Sequence, residues 1–143
     1  MFETIDEIIR VSYEAVSYDA GGHPDWDAEV AMFAPGARLV RINDTGIYEF
    51  TLDTYRSDFE RMIASGDMTS FWEGEIWRDE HVFQDMANVL SAYETRRTKG
   101  GALINRGINS FQLFQRGGRW WISSLIWRRE GEHFKLPDGM RSE

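Results

Sequence analysis

Few residues of this chain have the type and spacing that chemistry demands. His23, His81 and His133 are the only histidines, and none has a partner at His-x-x-x-His spacing, so no metal site is expected. His23 lies in a glycine-rich loop two positions before Asp25. That pair would serve as a general base only if a third group oriented it; otherwise both are surface turn residues. Cysteine is absent, which removes disulfides, thiolate metal sites and a thiol nucleophile. No glycine-rich phosphate loop, nucleophile elbow or zinc signature occurs, so no cofactor is expected. Polar residues on regular segments remain. Tyr13 offers a hydroxyl beside an apolar helical stripe, either to a pocket or to the core's own backbone. Asn105 and Asn109 share one strand face with Leu103, Phe111 and Leu113. Glu94 and Arg96 share the face opposite Tyr93, as an inward acid–base site or as a surface ion pair worth ~0–1 kcal/mol.

The elements that would position these groups read clearly. Thr4 and Glu7 have capping-box spacing, and Ile5, Ile8, Ile9, Ala15 and Val16 follow at helical period, with Asp19 to Gly22 as the stop. A second helix is predicted from Trp26 to Phe33 with Asp25 as cap. A strand from Ala37 to Ile42 follows, then a turn at Asn43–Gly46 and a return strand from Ile47 to Phe50. Leu52, Tyr55, Phe59, Met62 and Ile63 make the stripe of a third helix closed by Gly66. The period then changes to two. Four strands are predicted: Phe71–Phe83, Val89–Thr98, Ala102–Gln115 and Arg119–Arg129, with glycine pairs at 100–101 and 117–118 as turns. Helices first and long strands last predict an α+β domain with the helices on one face of the sheet.

The 143 residues suit one domain, with a core over about 3–130 and a polar tail over 131–143 that frays. The net charge of −8 opposes nucleic acid as a partner. The acidic N-terminus and the absence of a long apolar run predict a cytoplasmic chain without membrane contact. The aromatic excess of six Trp, five Tyr and nine Phe fills a core, lines a cavity or forms an interface.

This order of elements, with Ala31 to Val40 (AMFAPGARLV) and the terminal Gly117-Gly118-Arg119-Trp120-Trp121-Ile122, resembles the nuclear transport factor 2-like superfamily. That superfamily includes ketosteroid isomerase, scytalone dehydratase and SnoaL-like polyketide cyclases. The resemblance covers about residues 3–130 and implies a cystatin-like cone: a strongly curved antiparallel or mixed sheet wrapped around three N-terminal helices. It places Tyr13 at the isomerase's oxyanion tyrosine, Arg41 at the position of its base and Asn109 at that of its late-strand acid. An arginine cannot accept a proton near neutral pH and asparagine does not titrate, so isomerase chemistry is not carried over. It also implies that Trp121, Ser123, Leu125 and Trp127 face the cavity, while Trp120, Ile122, Ser124 and Ile126 face a homodimer mate across the outer face of the sheet.

The leading expectation is a small-molecule-binding protein with one largely apolar pocket per subunit. Its walls would be Phe33, Phe59, Tyr93, Trp121 and Trp127, with Tyr13, Arg41 and Asn109 as polar groups. Its ligand would be apolar or would carry a carboxylate for Arg41. One alternative is an isomerase, cyclase or dehydratase-type enzyme using Glu94, His23 or Asp25. Another is a structural or partner-binding module with its hollow filled by its own side chains.

Overall fold

Thr4 starts the first helix with its own hydroxyl, which accepts the Glu7 N–H at 3.1 Å. The Glu7 carboxylate reaches one residue further back than a capping box requires and takes the N–H of Glu3. A computed structural model describes residues 1–141. Its elements in chain order are α1 (Ile5–Val16), α2 (Trp26–Met32), β1 (Phe33–Asn43), β2 (Gly46–Phe50), α3 (Leu52–Ala64), β3 (Trp72–Phe83), β4 (Met86–Arg96), β5 (Leu103–Arg116) and β6 (Arg119–Arg129).

α1 ends at Val16, before the glycines that were expected to stop it. The Ser17 hydroxyl binds the Tyr13 carbonyl, and Tyr18 leaves the helix to pair with Phe71. Phe33 closes α2 and already belongs to β1, so helix and strand share a junction with no loop. Thr51 and Thr54 cap α3 reciprocally.

The strands form one six-stranded sheet in the order β2-β1-β6-β5-β4-β3. The β1–β6 pair is parallel and all the others are antiparallel. Gly117 and Gly118, at φ of 64° and 78°, make the two-residue turn between β5 and β6, a backbone that other residues resist. All three helices pack on one sheet face. Ile8 and Ile9 of α1 and Met32 of α2 meet Leu39, Val89, Phe111 and Ile122 from the strands, all essentially without exposure. The architecture is thus the expected α+β one.

Two bulges decide which side chains face those helices. Gln112 pairs with Ser124 and Leu113 with Ile122, leaving Ser123 as an extra residue in β6. Trp120 and Ile122 before it, and Leu125 and Trp127 after it, therefore all face inward. Strict alternation would have put Trp120 and Ile122 outside; both are instead buried core. In β3, Glu75 pairs with Tyr93 and Trp77 with Ala92, so Ile76 is the extra residue. Glu73, Glu75 and Arg78 then share the helix side. The tail is held where fraying was expected, as far as Arg141. Leu136 is buried, its N–H bonds the Glu130 carboxylate at 2.8 Å, and the Arg128 guanidinium covers the Phe134 ring. Ser142 and Glu143 lie outside the described residues.

Candidate functional site: a ring-lined cavity with two buried acids

Between the sheet and the helices lies a cavity of about 380 Å³. One wall is aromatic. The ring of Phe59 meets those of Tyr18, Trp26, Tyr55 and Phe71 edge-to-face, with centroids 5.7–6.0 Å apart. Tyr55 in turn meets Trp127 at 5.7 Å. Rings in such T-shaped contact are fixed by their quadrupoles as well as by packing. Phe33, Leu39, Phe111 and Leu125 complete the apolar lining.

Two carboxyl groups enter this apolar space. Glu29 of α2 is 4% exposed and lines the cavity. Among the described residues, no hydrogen bond or ion pair reaches its carboxyl. Burial pushes it up to about 8, with the nearby Glu73 and then Asp25 adding repulsion. Glu73 of β3 is pushed up to about 7 by burial, and the hydrogen bond that Asn109 Nδ2 donates at 3.1 Å pulls it partly back. No cation contributes to either shift. Near pH 7 Glu29 therefore mostly keeps its proton, while Glu73 is about half-ionised.

Glu73 also lines a second, more open hollow between α1 and β3, together with Tyr13, Glu75 and Arg78. A chain of hydrogen bonds runs between the two spaces. Asn109 Nδ2 donates to the Tyr13 hydroxyl at 3.0 Å as well as to Glu73. The Tyr13 and Ser91 hydroxyls lie 2.6 Å apart, and Ser91 donates to Glu75. With the Ser91 proton directed at Glu75, Tyr13 must donate to Ser91 and accept from Asn109. Arg78 clamps Glu75 with two bonds of 2.8 and 2.9 Å. The Tyr13, Tyr55 and Tyr93 hydroxyls are all pushed up by burial, so they stay protonated.

Of the residues singled out in the sequence, Phe33, Arg41, Phe59, Tyr93, Asn109 and Trp127 line the main cavity. Tyr13 stands one hydrogen bond behind it, its proton committed to Ser91. Trp121 is outside: the bulge at Ser123 turns it away, and Arg119 stacks on its ring. Arg41 is paired with Asp58 at 3.1 Å and rests against the Tyr48 and Phe50 rings, so much of its charge is already answered. Glu94 lies on the sheet face away from the cavity, opposite Tyr93 and Thr95, bridged to Arg96 at 3.3 Å. His23 bonds the Pro24 carbonyl, and Asp25 caps α2 through the Ala28 N–H, so the two form no catalytic pair.

Gly107 keeps this wall in place. A Cβ there would stand 2.5 Å from the Tyr93 hydroxyl and 2.7 Å from Arg129 Cα, and would strike the Arg128 carbonyl. Gly107→Ala is expected to cost ~1–3 kcal/mol through strand displacement. Thermal unfolding checks this, and an unchanged midpoint would contradict it.

No family model matches the sequence, and no curated protein matches it significantly. Solved structures do. A cystatin-like protein of unknown function from Nostoc punctiforme superposes with a TM-score of 0.70 at 14% identity, over 93% of this chain and 92% of that one. A nuclear transport factor 2-like superfamily protein from Salmonella enterica gives 0.66 at 14%, over 96% and 94%. A nuclear transport factor 2-like protein of unknown function from Silicibacter pomeroyi gives 0.61 at 17%, over 88% and 92%. Agreement over nearly whole chains at so low an identity establishes the architecture alone: the chain has the nuclear transport factor 2-like, cystatin-like fold.

Proposed function

We propose that the chain binds one small, largely apolar molecule per subunit in the ring-lined cavity. The observation that carries this reading is Glu29, a carboxyl 4% exposed on the cavity wall with no partner among the described residues. A buried polar group left unpaired costs ~1–3 kcal/mol, which a bound group would recover. The volume of about 380 Å³ falls within the roughly 300–1,000 Å³ of ligand sites, well above the ~30 Å³ share of one water. That size weighs against a hollow filled by its own side chains. Binding in the cytoplasm fits a chain without cysteine. Amide and methyl NMR shifts titrated with small aromatic compounds test the reading. Shifts should converge on Phe59, Asn109 and Trp127; shifts confined to the outer surface would overturn it.

A second reading is favoured by Glu73, a carboxyl pushed up to about 7 beside Glu29 at about 8. An acid held near the working pH suits proton transfer, so isomerase-, cyclase- or dehydratase-type chemistry would use Glu73 as base and protonated Glu29 as donor. It predicts that Glu73→Gln abolishes turnover of a bound substrate while binding persists. Retained turnover would remove Glu73 from the chemistry.

Pairing of two chains is part of the proposal. On the outer sheet face, Val40, Ile126, Ser110 and Leu90 form one row across four strands, with Ile126 43% and Leu90 39% exposed. Exposed apolar rows of this kind mark interfaces. Light scattering should give a dimer that Ile126→Lys converts to monomer. A wild-type monomer at micromolar concentration would contradict the pairing.

A further inference from the structure

The composition of the cavity points to a particular class of ligand. Glu29 and Glu73 enter it with no cationic partner among the described residues. Tyr55, Phe59, Phe71 and Trp127 surround it with rings whose faces carry negative potential. An anion would meet the ring faces, and either acid once ionised, as repulsion, opposed only by Arg41, already paired with Asp58, and by Arg129. A neutral molecule would leave the acids holding their protons and would gain no charge attraction from them. An organic cation is favoured by both at once, since an ammonium held over aromatic faces gains cation–π attraction and a buried carboxylate gains its missing partner. A bare metal ion is a poorer fit, because among the described residues no group of three His, Asp or Glu side chains gathers. We propose that the cavity selects a small aryl or alkyl ammonium compound, its apolar body against Phe59 and Trp127 and its charged nitrogen at Glu29 and Glu73.

The proposal rests on the ligand-binding reading and specifies its ligand. The charged and titratable groups near the two acids come from every element packed around them. They are Tyr13 of α1, Asp25 before α2, Tyr55 and Asp58 of α3, Glu75 of β3 and Tyr93 of β4. β1 contributes Arg41, already bound to Asp58, and β6 contributes the exposed Arg129 at the rim. Among the described residues neither arginine forms an ion pair with Glu29 or Glu73. In the empty cavity burial keeps a proton mostly on Glu29 and partly on Glu73 near neutrality. An arriving ammonium replaces a proton, so binding releases protons to solvent and strengthens as pH rises.

The test compares three probes of one shape: 2-phenylethylammonium, 2-phenylethanol and phenylacetate. Calorimetry would be run in buffers of different ionisation enthalpy, with NMR reporting the Phe59 and Trp127 signals. The ammonium should bind at least about tenfold more tightly than the alcohol at about pH 8, with the acid weakest. Its affinity should fall roughly tenfold by about pH 6, and its heat should reveal proton release. Glu29→Gln should reduce the ammonium to the alcohol's affinity. Equal binding of alcohol and ammonium would overturn the proposal and leave the cavity reading standing. So would preference for phenylacetate, which would return the site to Arg41. Failure of all three probes to shift the Phe59 and Trp127 signals would overturn the cavity reading and this inference together.

Discussion

Glu29→Gln will make the protein more stable than the wild type at pH 8, and the difference will shrink as pH falls toward 4.5. The sign follows from where the proton sits. Glu29 holds its proton up to about 8 in the fold, against 4.5 for the free side chain. Above 4.5 the unfolded chain loses that proton and the folded chain keeps it, so wild-type stability falls as pH rises through this window. At ~1.4 kcal/mol per pKa unit, a few kcal/mol are at stake near pH 8. Glutamine has the same shape and no charge, so the variant escapes the loss. Its amide lacks a partner too, but that cost does not change with pH. Unfolding midpoints of both proteins from pH 4.5 to 8.5 measure the difference directly, and parallel curves would show that Glu29 ionises normally in the fold.

Phe59→Ala should be the most damaging single change in the cavity wall. Phe59 is 5% exposed and stands at the centre of four edge-to-face contacts, with Tyr18, Trp26, Tyr55 and Phe71. These tie α3 to the segment that follows α1, to α2 and to the segment entering β3. Loss of a buried phenylalanine costs ~3–5 kcal/mol, and few neighbours here can collapse into the space because each ring is held by others. The result should be a large drop in the denaturant midpoint, accompanied by a cavity that accepts bulkier apolar probes. A loss below ~1 kcal/mol would mean that α3 packs differently.

The elements were legible in the sequence wherever the signal was local. Thr4 caps α1 because a hydroxyl acts on the next turn, and Gly117-Gly118 turns the chain because few other residues tolerate that backbone. Facing was less legible. A bulge costs one residue and reverses every side chain beyond it, so the extra Ser123 separates Trp121 from Trp127, which alternation had joined. The extra Ile76 shifts the facing in β3 in the same way, so that Glu73, Glu75 and Arg78 share one side. The inner side is in fact the acidic one, because α1 presents Tyr13 and Ser17 to it and Asn109 reaches Glu73 from β5. Glu29 did leave a trace. Trp26, Glu29 and Met32 recur at helical spacing of three and share the buried face of α2. An acid in the middle of an apolar helical stripe is the signal that could have found it. Tyr93, Asn109 and Trp127 were legible because no bulge intervenes within their own stretches of strand.

Two carboxyl groups, Glu29 and Glu73, are buried with no cation paired to them among the described residues. Side-chain carboxyl ¹³C shifts followed against pH in the ligand-free protein test this most directly. Two glutamates should titrate with apparent midpoints of about 7 and about 8; Glu29→Gln should remove the upper one and leave the other near 7, whereas Glu73→Gln should lower the upper one. A titration in which every glutamate has ionised by about pH 5.5 would contradict the account, because a carboxyl in that range is either solvated or already paired.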